Sequence, residues 1–542
     1  MGMRRAVEFG VTLALVAWPA LCCAQTPRDA AAAQAHLGKV DFPTSCSEQA
    51  RPTLDPQVQP MLEKGVALLH SFQYEQARQT FDEAASQAPD CAMARWGQAM
   101  SLYEQLWDLP DKKKLGEGYK EIRQAQKLGP QTAKEQGFIA AAAAYYEKNS
   151  KISYTDRSKA YSAALEKMRA QMPDDVEVGS FYALSLVALA ERDVDSLENQ
   201  KKAIAILQPL LQQYPDHPGV AHYLIHAADR PELAPEGLEA ARRYAAIAPD
   251  SPHALHMPSH IFVRLGLWQD SIASNIASEA SAVKLAEEHK VEPHYQTHAM
   301  DFLNYSYLQS GQEAKAREVI GHMDHVVGAD QETKEEHRTF LEARTAIELH
   351  RWKEAAALQD PPLRRDQQDS ARWARAIGAA RTGDVAAAES AVNALKESVA
   401  ERESRARKEG YAVPNEKPSD LGEAEAWLAF AKGQPEGALK EMREAAEHQE
   451  ENGGEGVGIP AREMLADMLM ELKRPSEALA EYRVVLKNAP NRFDGLLGAA
   501  RAAQASGDAS GAQTFYAKLT EVCAPGADRP ELAEAKTFVA QK

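Results

Sequence analysis

Apolar residues recur at the spacing of an α-helix along almost the whole chain. From about residue 57 to the C-terminus, apolar positions fall three and four residues apart, and Gly or Pro interrupts the pattern about every 34 to 45 residues. Alternation of apolar and polar positions between turn residues, which is typical of β-strands, is hard to find. The pattern predicts an all-α protein made of repeated helix hairpins.

A small residue recurs at one place in these hairpins. Six tripeptides have the composition of a tight turn between paired helices, among them Gly266-Leu267-Trp268, and each is followed three positions later by Ser or Ala. These small residues are Ser271, Ala316, Ala355, Ala388, Ala438 and Ala512. Because a helix hairpin cannot bury its apolar face alone, it stacks on its neighbours, and small side chains let the helices approach closely.

Two stretches carry the spacing of a known repeat. The residues concerned are Tyr74-Glu75-Gln76-Ala77, Phe81, Ala84 and Pro89 in the first stretch and Ala478, Tyr482 and Pro490 in the second. In this spacing the chain resembles the tetratricopeptide repeat (TPR) family, and the resemblance extends from Gln57 nearly to the C-terminus. It implies a right-handed superhelical solenoid of about twelve TPR-like helix pairs, with a concave inner groove in which such repeats usually bind ligands.

Three further segments are similar to a group of exported bacterial TPR proteins of undefined biochemical role. They are residues 69–72, residues 91–97 and residues 256–260. The repeat pattern then divides the chain into five parts. These are a signal peptide (1–24), a lead segment (25–56), partly irregular N-terminal TPR-like pairs (57–216), His-rich units (217–330) and C-terminal units (331–542).

The segment from Met1 to Ala24 has the layout of a secretory signal peptide. A short basic stretch precedes an apolar run from Gly10 to Leu21, and small residues stand before Gln25. We expect cleavage after Ala24 and export to the periplasm or the medium. The apolar run is short for a bilayer span, so the mature protein is expected to have no transmembrane segment. A lipoprotein acylated on Cys22 or Cys23 is the alternative.

The charge balance excludes one class of partner. The 542 residues include 62 Lys and Arg against 79 Asp and Glu, a formal net charge of −17. A nucleic-acid-binding protein needs a basic face to neutralise phosphates, so no nucleic acid is expected as a partner.

The mature chain keeps three cysteines, which are too few for a disulfide scaffold. Cys46 stands just before the first predicted helix pair and Cys91 just after it. In an oxidising compartment these two could form a disulfide, with Cα atoms within about 7 Å of each other. Two buried free thiols are the alternative, and Cys523 is left over near the C-terminus.

Histidines are concentrated in the His-rich units. Nine of the 16 histidines lie between His217 and His298, and three pairs have the i, i+4 spacing that places both rings on one helix face. Random placement predicts about 0.5 such pairs. The pairs are His222/His226, His256/His260 and His294/His298, and an aspartate follows the first and third pairs at i+7, as Asp229 and Asp301.

The first two pairs occupy equivalent places in successive units. These are the fifth and ninth places of first helices, which by resemblance to the family line the concave groove. We therefore predict that the four imidazoles converge, with Asp229 as a further ligand or a supporting carboxylate. The third pair has a different register, and His294, His298 and Asp301 are predicted to form a second cluster. Pro258 should kink or restart the helix that carries the second pair.

Neutral imidazoles and a carboxylate on adjacent helices suit Zn²⁺ or another transition metal such as Cu, Ni or Fe. Two alternatives stay open: the histidines could bond to each other, to aspartates or to the backbone without metal, or they could contact an anionic or peptide ligand directly. A zincin-type protease is disfavoured, because Tyr223, Met257 or Tyr295 follows the first His of each pair where that chemistry needs Glu.

The function predicted from these patterns is an exported TPR scaffold that binds a protein or peptide partner in its concave groove, with or without a His/Asp metal site. Glu463 and Asp467 take groove positions in a late unit and predict an acidic end of the groove, although a solvated surface would explain them equally well. The alternative is a metal-dependent enzyme of the hydrolase type that uses the His-rich groove. No catalytic residue is identified by the sequence.

Overall fold

The structure is a computed structural model that describes residues 36–47, 55–106, 110–147, 152–190, 197–288, 293–409, 417–454 and 456–541. The predicted signal peptide, with Cys22 and Cys23, and also His289 lie outside these ranges. Within them every regular element is a helix and there is no strand, which confirms the predicted all-α fold.

The helices of the N-terminal part are α1 (Val58–His70), α2 (Tyr74–Gln87), α3 (Ala92–Met100), α4 (Lys112–Leu128), α5 (Ala133–Tyr145), α6 (Tyr154–Gln171), α7 (Val176–Ala190) and α8 (Glu198–Gln213). The central part contains α9 (Pro218–Ala228), α10 (Ala234–Ile247), α11 (Pro252–His256), α12 (Pro258–Arg264), α13 (Trp268–Glu287), α14 (His294–Gln309), α15 (Glu313–His322) and a 3₁₀ turn (Met323–His325).

The C-terminal part contains α16 (Gln331–Glu348), α17 (Trp352–Ala357), a 3₁₀ turn (Arg365–Gln368), α18 (Asp369–Thr382), α19 (Val385–Glu409), α20 (Ser419–Ala431), α21 (Pro435–Glu451), α22 (Ala461–Glu471), α23 (Pro475–Asn488), α24 (Phe493–Ala505), α25 (Ala509–Val522) and α26 (Leu532–Ala540). None of the helices among the described residues has both the length and the apolar character needed to cross a lipid bilayer.

The helix pairs pack as the small-residue pattern predicts. All six of the small residues that follow the turns are completely buried. Five of the six predicted turns begin with a glycine that has positive φ, and these are Gly266, Gly311, Gly383, Gly433 and Gly507. Stacking of the pairs buries two large hydrophobic cores, one from Leu37 to Phe262 and one from Ala343 to Ala535, with smaller clusters between them. The result is the predicted superhelical solenoid.

The C-terminal units lie against the central units. The indole N–H of Trp268 donates to the carbonyl of Asn491 at 2.9 Å, across 223 positions of sequence, and the amide of Ala524 donates to the carbonyl of Ser310 at 3.0 Å. At Gly266 a Cβ atom would come within 2.2 Å of the Pro490 carbonyl, so this turn needs glycine both for its φ and for its close contact. The superhelix therefore curls until its C-terminal end rests on its middle.

Arg492 lies at the centre of this contact and is fully buried. Its guanidinium donates to Glu348 at 2.7 Å, to Glu463 at 2.8 Å and to the hydroxyl of Tyr305 at 2.9 Å. Glu463 is only 3% exposed. It therefore does not contribute to an open acidic end of the groove, because its carboxylate is paired inside the contact.

The described part of the lead segment, residues 36–47, belongs to the fold. Phe42 stacks on Trp96 with ring centres 5.5 Å apart, and Ser45 donates to the buried carboxylate of Glu135. Cys46 and Cys91 form a disulfide, and their Cα atoms are 5.6 Å apart. The lead segment is thus attached covalently to the end of the first helix pair.

Candidate metal centre

His222 and His226 lie one turn apart on the same face of α9. The helix begins at Pro218, whose fixed φ suits the first helical position, and His217 caps it by accepting the amide of Val220 at 3.2 Å. His222 is fully buried and His226 is half-buried. The local sequence therefore determines where both rings stand on α9.

Pro258 divides the helix that carries the next histidines. Because proline has no amide hydrogen, α11 ends at His256 and α12 begins at Pro258, with Met257 between them, as the sequence predicts. The histidines on these two helices contact those of α9 or each other. His253 in α11 lies beside His222, and His260 in α12 lies beside both His256 and His226.

His222, His226 and His253 form the first triad. The Nε2 atom of His222 lies 2.9 Å from Nε2 of His253 and 3.1 Å from Nε2 of His226. One ring nitrogen from each of the three residues lies within 4.8 Å of the others. His253 is absent from the ligands predicted from sequence, because the i, i+4 rule selects partners within one helix only.

His256, His260 and His298 form the second triad. The Nε2 atoms of His256 and His260 are 3.0 Å apart, and the ring of His298, from α14, lies 4.3 Å from the ring of His256. Their ligand nitrogens again lie within 4.8 Å of one another. The four histidines of the first two pairs thus come together, but as parts of two groups rather than one.

The two triads adjoin each other. The ring centres of His226 and His260 are 6.4 Å apart, and those of His253 and His256 are also 6.4 Å apart. Each triad combines an i, i+4 pair from one unit with a single histidine from the unit that follows. The repeat therefore builds the same arrangement twice along the stack.

One phenylalanine ring packs against each triad. Phe72 lies 4.3 Å from the ring of His222 and 5.5 Å from the other two rings of the first triad. Phe302 lies 4.6 to 5.2 Å from the three rings of the second triad. Phe72 has a φ of +54° at the turn place that Gly266 fills in a later unit, which for a bulky residue costs about 1–3 kcal/mol. The surrounding structure holds this conformation, and with it the ring against the first triad.

Two of the three rings in the second triad have their second ring nitrogen hydrogen-bonded to an acceptor. Nδ1–H of His256 donates to Oδ1 of Asn275 at 2.7 Å, and Nδ1–H of His260 donates to the Asp229 carboxylate at 2.8 Å. These partners place the protons on Nδ1 and leave a lone pair on each Nε2. Since the two Nε2 atoms face each other at 3.0 Å, two lone pairs meet there when both rings are neutral. A bound cation would satisfy both.

Asp229 supports the centre from outside. One carboxylate oxygen accepts from His260 and the other accepts from Arg264 at 2.9 Å. Burial would raise the pKa of Asp229, but the charges of Arg264 and His260 outweigh it and hold this pKa well below its usual range. Of its two predicted roles, Asp229 has the geometry of the supporting carboxylate.

Burial keeps most of the six imidazoles neutral. It lowers the pKa of His222, His253 and His256 well below the ordinary value, and nearby imidazoles lower it further. The pKa of His226 falls to about 3 for the same reasons, and that of His298 is also lowered. At neutral pH these rings are in the form that can bind a metal ion.

The residues predicted as a second cluster are placed differently. His298 belongs to the second triad, whereas His294, at the first turn of α14, lies against the ring of Tyr295 at 4.1 Å. The Asp301 carboxylate is bonded to the guanidinium of Arg344. His294 and Asp301 instead line the cavity beside the triads.

A third group, His70, Glu177 and His217, is completely buried next to the first triad. Glu177 accepts from Nε2 of His70 at 2.8 Å and from Nε2 of His217 at 3.0 Å. Burial would raise the pKa of Glu177, but the two histidines outweigh it and lower that pKa. The carbonyl of His70 accepts Nδ1–H of His222 at 2.6 Å. The group therefore orients a ring of the first triad, and its own nitrogens are already hydrogen-bonded.

A cavity of about 990 Å³ lies against both triads. Two histidines of each triad form part of its wall, namely His226, His253, His260 and His298. Aromatic side chains form another part, from Phe72, Tyr295 and Phe340. Acidic side chains outnumber lysines on this wall. The acidic residues are Glu75, Glu104, Asp301 and Glu336, and the lysine is Lys114.

No family model and no curated protein sequence matches the chain. Among solved structures, the chain is similar to the human IFIT1 dimer with PPP-AAAA, at 13% identity and a TM-score of 0.37 over 87% of this chain and 91% of that one. It is similar to yeast Tom70 at 12% identity and a TM-score of 0.24, over 89% and 95% of the two chains. A third similarity is to Naa15/Naa10 bound to HypK-THB, at 13% identity and a TM-score of 0.25, over 89% and 72%. The helices described above, rather than these similarities, establish the solenoid.

Proposed function

We propose that this protein is a TPR-type scaffold that holds a pair of transition-metal ions on six histidines, at the wall of a cavity that admits a small ligand. The observation that carries the proposal is the convergence of the two adjoining triads, each with three ring nitrogens within 4.8 Å of one another. Three imidazoles per ion leave coordination positions open, as is typical of metal sites that bind a further ligand.

The nitrogen separations support this proposal. Two ligand nitrogens that each lie about 2.0–2.1 Å from one ion are about 3.3 Å apart in a tetrahedral site. They are about 2.9 Å apart at a right angle, as in the tetragonal geometry of Cu²⁺. The Nε2 separations in the triads are 2.9, 3.0 and 3.1 Å. The hydrogen bonds from Nδ1 to a carbonyl, an amide oxygen and a carboxylate are the supporting contacts that metal-binding histidines usually have.

The surroundings of the cavity also favour a cation and a small ligand. On its wall, Glu104 is paired with Lys114 at 2.8 Å and Asp301 is paired with Arg344, so the net negative charge that attracts metal ions comes from Glu75 and Glu336. The volume is in the range of small-molecule sites. A long groove for a peptide partner is less well supported, since Glu463, which was predicted to line the groove, is buried against Arg492. We therefore place the ligand in the cavity.

Metal analysis of the purified full-length protein tests the proposal. After equilibration with Zn²⁺ or Cu²⁺ and removal of free ions, elemental analysis is expected to find two ions per chain. The double variant His222→Ala/His253→Ala should keep one ion, because only the first triad is lost, and His256→Ala/His298→Ala should likewise keep one. Circular dichroism should show unchanged helical content for both.

The control for these variants removes the same number of imidazoles from the surface. His322 and His325 are exposed and lie outside both triads, so His322→Ala/His325→Ala should keep two ions.

A single substitution tests the supporting carboxylate. Asp229→Asn should lower the affinity of the second triad for its ion by about 10- to 100-fold, because His260 loses its carboxylate partner. The matched change Asp270→Asn, at an exposed ion pair, should have no effect. Wild-type protein that retains no ion would contradict the proposal.

We also propose that the protein is exported, as the segment from Met1 to Ala24 predicts. The disulfide between Cys46 and Cys91 supports this, because disulfides persist in oxidising compartments outside the cytoplasm. N-terminal sequencing of the native protein is expected to find Gln25 as the first residue, on material from outside the cytoplasm. Cytosolic protein that keeps Met1 would refute export without bearing on the metal centre.

A further inference from the structure

We propose that the metal pair is copper and that it couples the reduction of dioxygen to the oxidation of a small ortho-diphenol bound in the adjoining cavity. This inference rests on the proposed function and adds the identity of the metal, the substrate class and the reaction.

The donor set favours copper. Each triad offers three imidazole nitrogens and no carboxylate, and the nearest carboxylate, that of Asp229, is occupied by His260 and Arg264. Ions such as Mg²⁺ and Mn²⁺ prefer oxygen ligands, whereas imidazole suits copper, zinc, nickel and iron. Among divalent ions of this series, copper binds such sites most tightly. The Nε2 separations of 2.9 to 3.1 Å also fit the near-right angles of tetragonal Cu²⁺ better than the wider angles of tetrahedral Zn²⁺.

The pairing of the triads favours two-electron chemistry. A copper ion changes its charge by one electron between Cu(I) and Cu(II), so two adjoining ions can exchange two electrons with a single molecule. Two rings of the first triad lie beside two rings of the second, because the ring centres of His226 and His260 are 6.4 Å apart and those of His253 and His256 are also 6.4 Å apart. A diatomic molecule between the triads can meet both ions.

One phenylalanine ring covers each triad as an apolar lid on its imidazoles. Phe72 packs on all three rings of the first triad and Phe302 on all three rings of the second. Apolar cover of this kind limits the access of water and so controls the redox behaviour of a metal site. Phe72 adopts its positive φ at the turn between α1 and α2, where it covers the first triad.

The cavity fits an aromatic substrate. It touches both triads, so that one bound molecule can reach both ions, and Phe72, Tyr295 and Phe340 present rings to it. The hydroxyl of Tyr295 donates to the carbonyl of Phe72 at 3.0 Å, which holds the Tyr295 ring beside the first triad. The carboxylates on the wall disfavour an anionic substrate, because like charges repel in a partly buried site. A neutral diphenol satisfies these conditions.

Electrons and protons balance between the two half-reactions. Each diphenol loses two electrons and two protons as its two O–H bonds break and its carbon–oxygen bonds become those of an ortho-quinone. Dioxygen accepts four electrons and four protons, and its O–O bond breaks to give two molecules of water. Two diphenols are therefore consumed for each dioxygen, and the copper pair passes the electrons without being consumed itself.

The test uses the full-length protein loaded with Cu(I) under anaerobic conditions and then exposed to air. We expect two copper ions per chain, uptake of dioxygen on exposure, and little Cu(II) signal in electron paramagnetic resonance because the spins of adjoining ions couple. With catechol as substrate, an oxygen electrode should record one dioxygen for two catechols. His222→Ala/His253→Ala should retain one copper with the full signal of an isolated Cu(II) ion and lose catechol oxidation, whereas His322→Ala/His325→Ala should behave as wild type.

A change in the cavity tests the substrate site separately. Phe340 is 37% exposed, lies on the cavity wall and belongs to neither triad. Phe340→Trp should raise KM for catechol while copper content and the resonance spectrum stay unchanged, and 3,4-dihydroxybenzoate, an anion, should be oxidised more slowly than catechol by the wild type. An unchanged KM in this variant would show that the substrate does not bind in the cavity.

The outcomes separate this inference from the metal centre itself. Two bound copper ions with independent Cu(II) signals, or two bound ions without uptake of dioxygen, would overturn the copper-pair chemistry and leave the metal-binding proposal standing. Protein that retains no metal at all would overturn both. Catechol oxidation that persists in the single-copper variant would show that the pair is not required and would also overturn the inference.

Discussion

Replacement of Arg492 by Met is expected to lower the free energy of unfolding by about 3–5 kcal/mol. Arg492 is completely buried between Glu348 and Glu463, and its guanidinium holds both carboxylates. Without it, two negative charges remain in a site from which water is excluded, and their burial is uncompensated. Denaturant unfolding followed by circular dichroism would measure the change.

Two further variants make this experiment specific. Arg483→Met removes an arginine from an exposed ion pair with Asp508 and should leave stability nearly unchanged, because exposed pairs contribute little. Glu348→Gln/Glu463→Gln in the Arg492→Met background should recover part of the loss, since the buried charges are gone. Equal destabilisation by Arg492→Met and Arg483→Met would contradict the account of how the C-terminal units are attached.

Loss of the disulfide is expected to have the next largest effect on stability. Cys46 and Cys91 are 45 positions apart, and a bridge of this span restricts the unfolded chain enough to stabilise the fold by about 2–5 kcal/mol. Cys91→Ala should therefore lower the melting temperature, and wild-type protein in reductant should show the same decrease. The lead segment would then be held by noncovalent contacts such as the stacking of Phe42 on Trp96.

The remaining cysteine supplies a control. Cys523 forms no disulfide and is partly buried, so Cys523→Ala changes a thiol without changing chain connectivity. We expect its melting temperature to respond to reductant as that of the wild type does. A Cys91→Ala variant that melts with the wild type under oxidising conditions would show that the bridge does not stabilise the fold.

The candidate metal centre was partly predictable because some of its features are local. The i, i+4 spacing places His222 with His226 and brings His256 close to His260, and the structure shows both pairs within 3.1 Å. The break at Pro258 follows from its missing amide hydrogen. The identity of the partner from the next unit was not predictable in this way. It depends on the rotation between stacked helices, which periodicity along one helix does not encode.

His253 and His298 illustrate this. Each is the third member of a triad whose other two histidines belong to the preceding unit. His298 therefore groups with His256 and His260, whereas His294, its i, i+4 partner, lies against Tyr295. The role of Asp301 was equally unpredictable, because its carboxylate is bonded to the guanidinium of Arg344, which lies 43 residues later in the sequence. The buried group of His70, Glu177 and His217 has no spacing that could indicate it, since its members come from three separate helix pairs.

The repeat pattern alone was sufficient to predict the helix pairs, their close contacts at small residues and the all-α solenoid, because each depends on interactions between neighbours in sequence. The curl of the superhelix is a different matter. It rests on contacts such as that between Arg492 and Glu348, 144 residues apart, and small rotations added over many units decide whether these residues meet. The same rotations bring two histidine triads to one cavity, so packing between units, rather than any single repeat, creates the candidate metal centre.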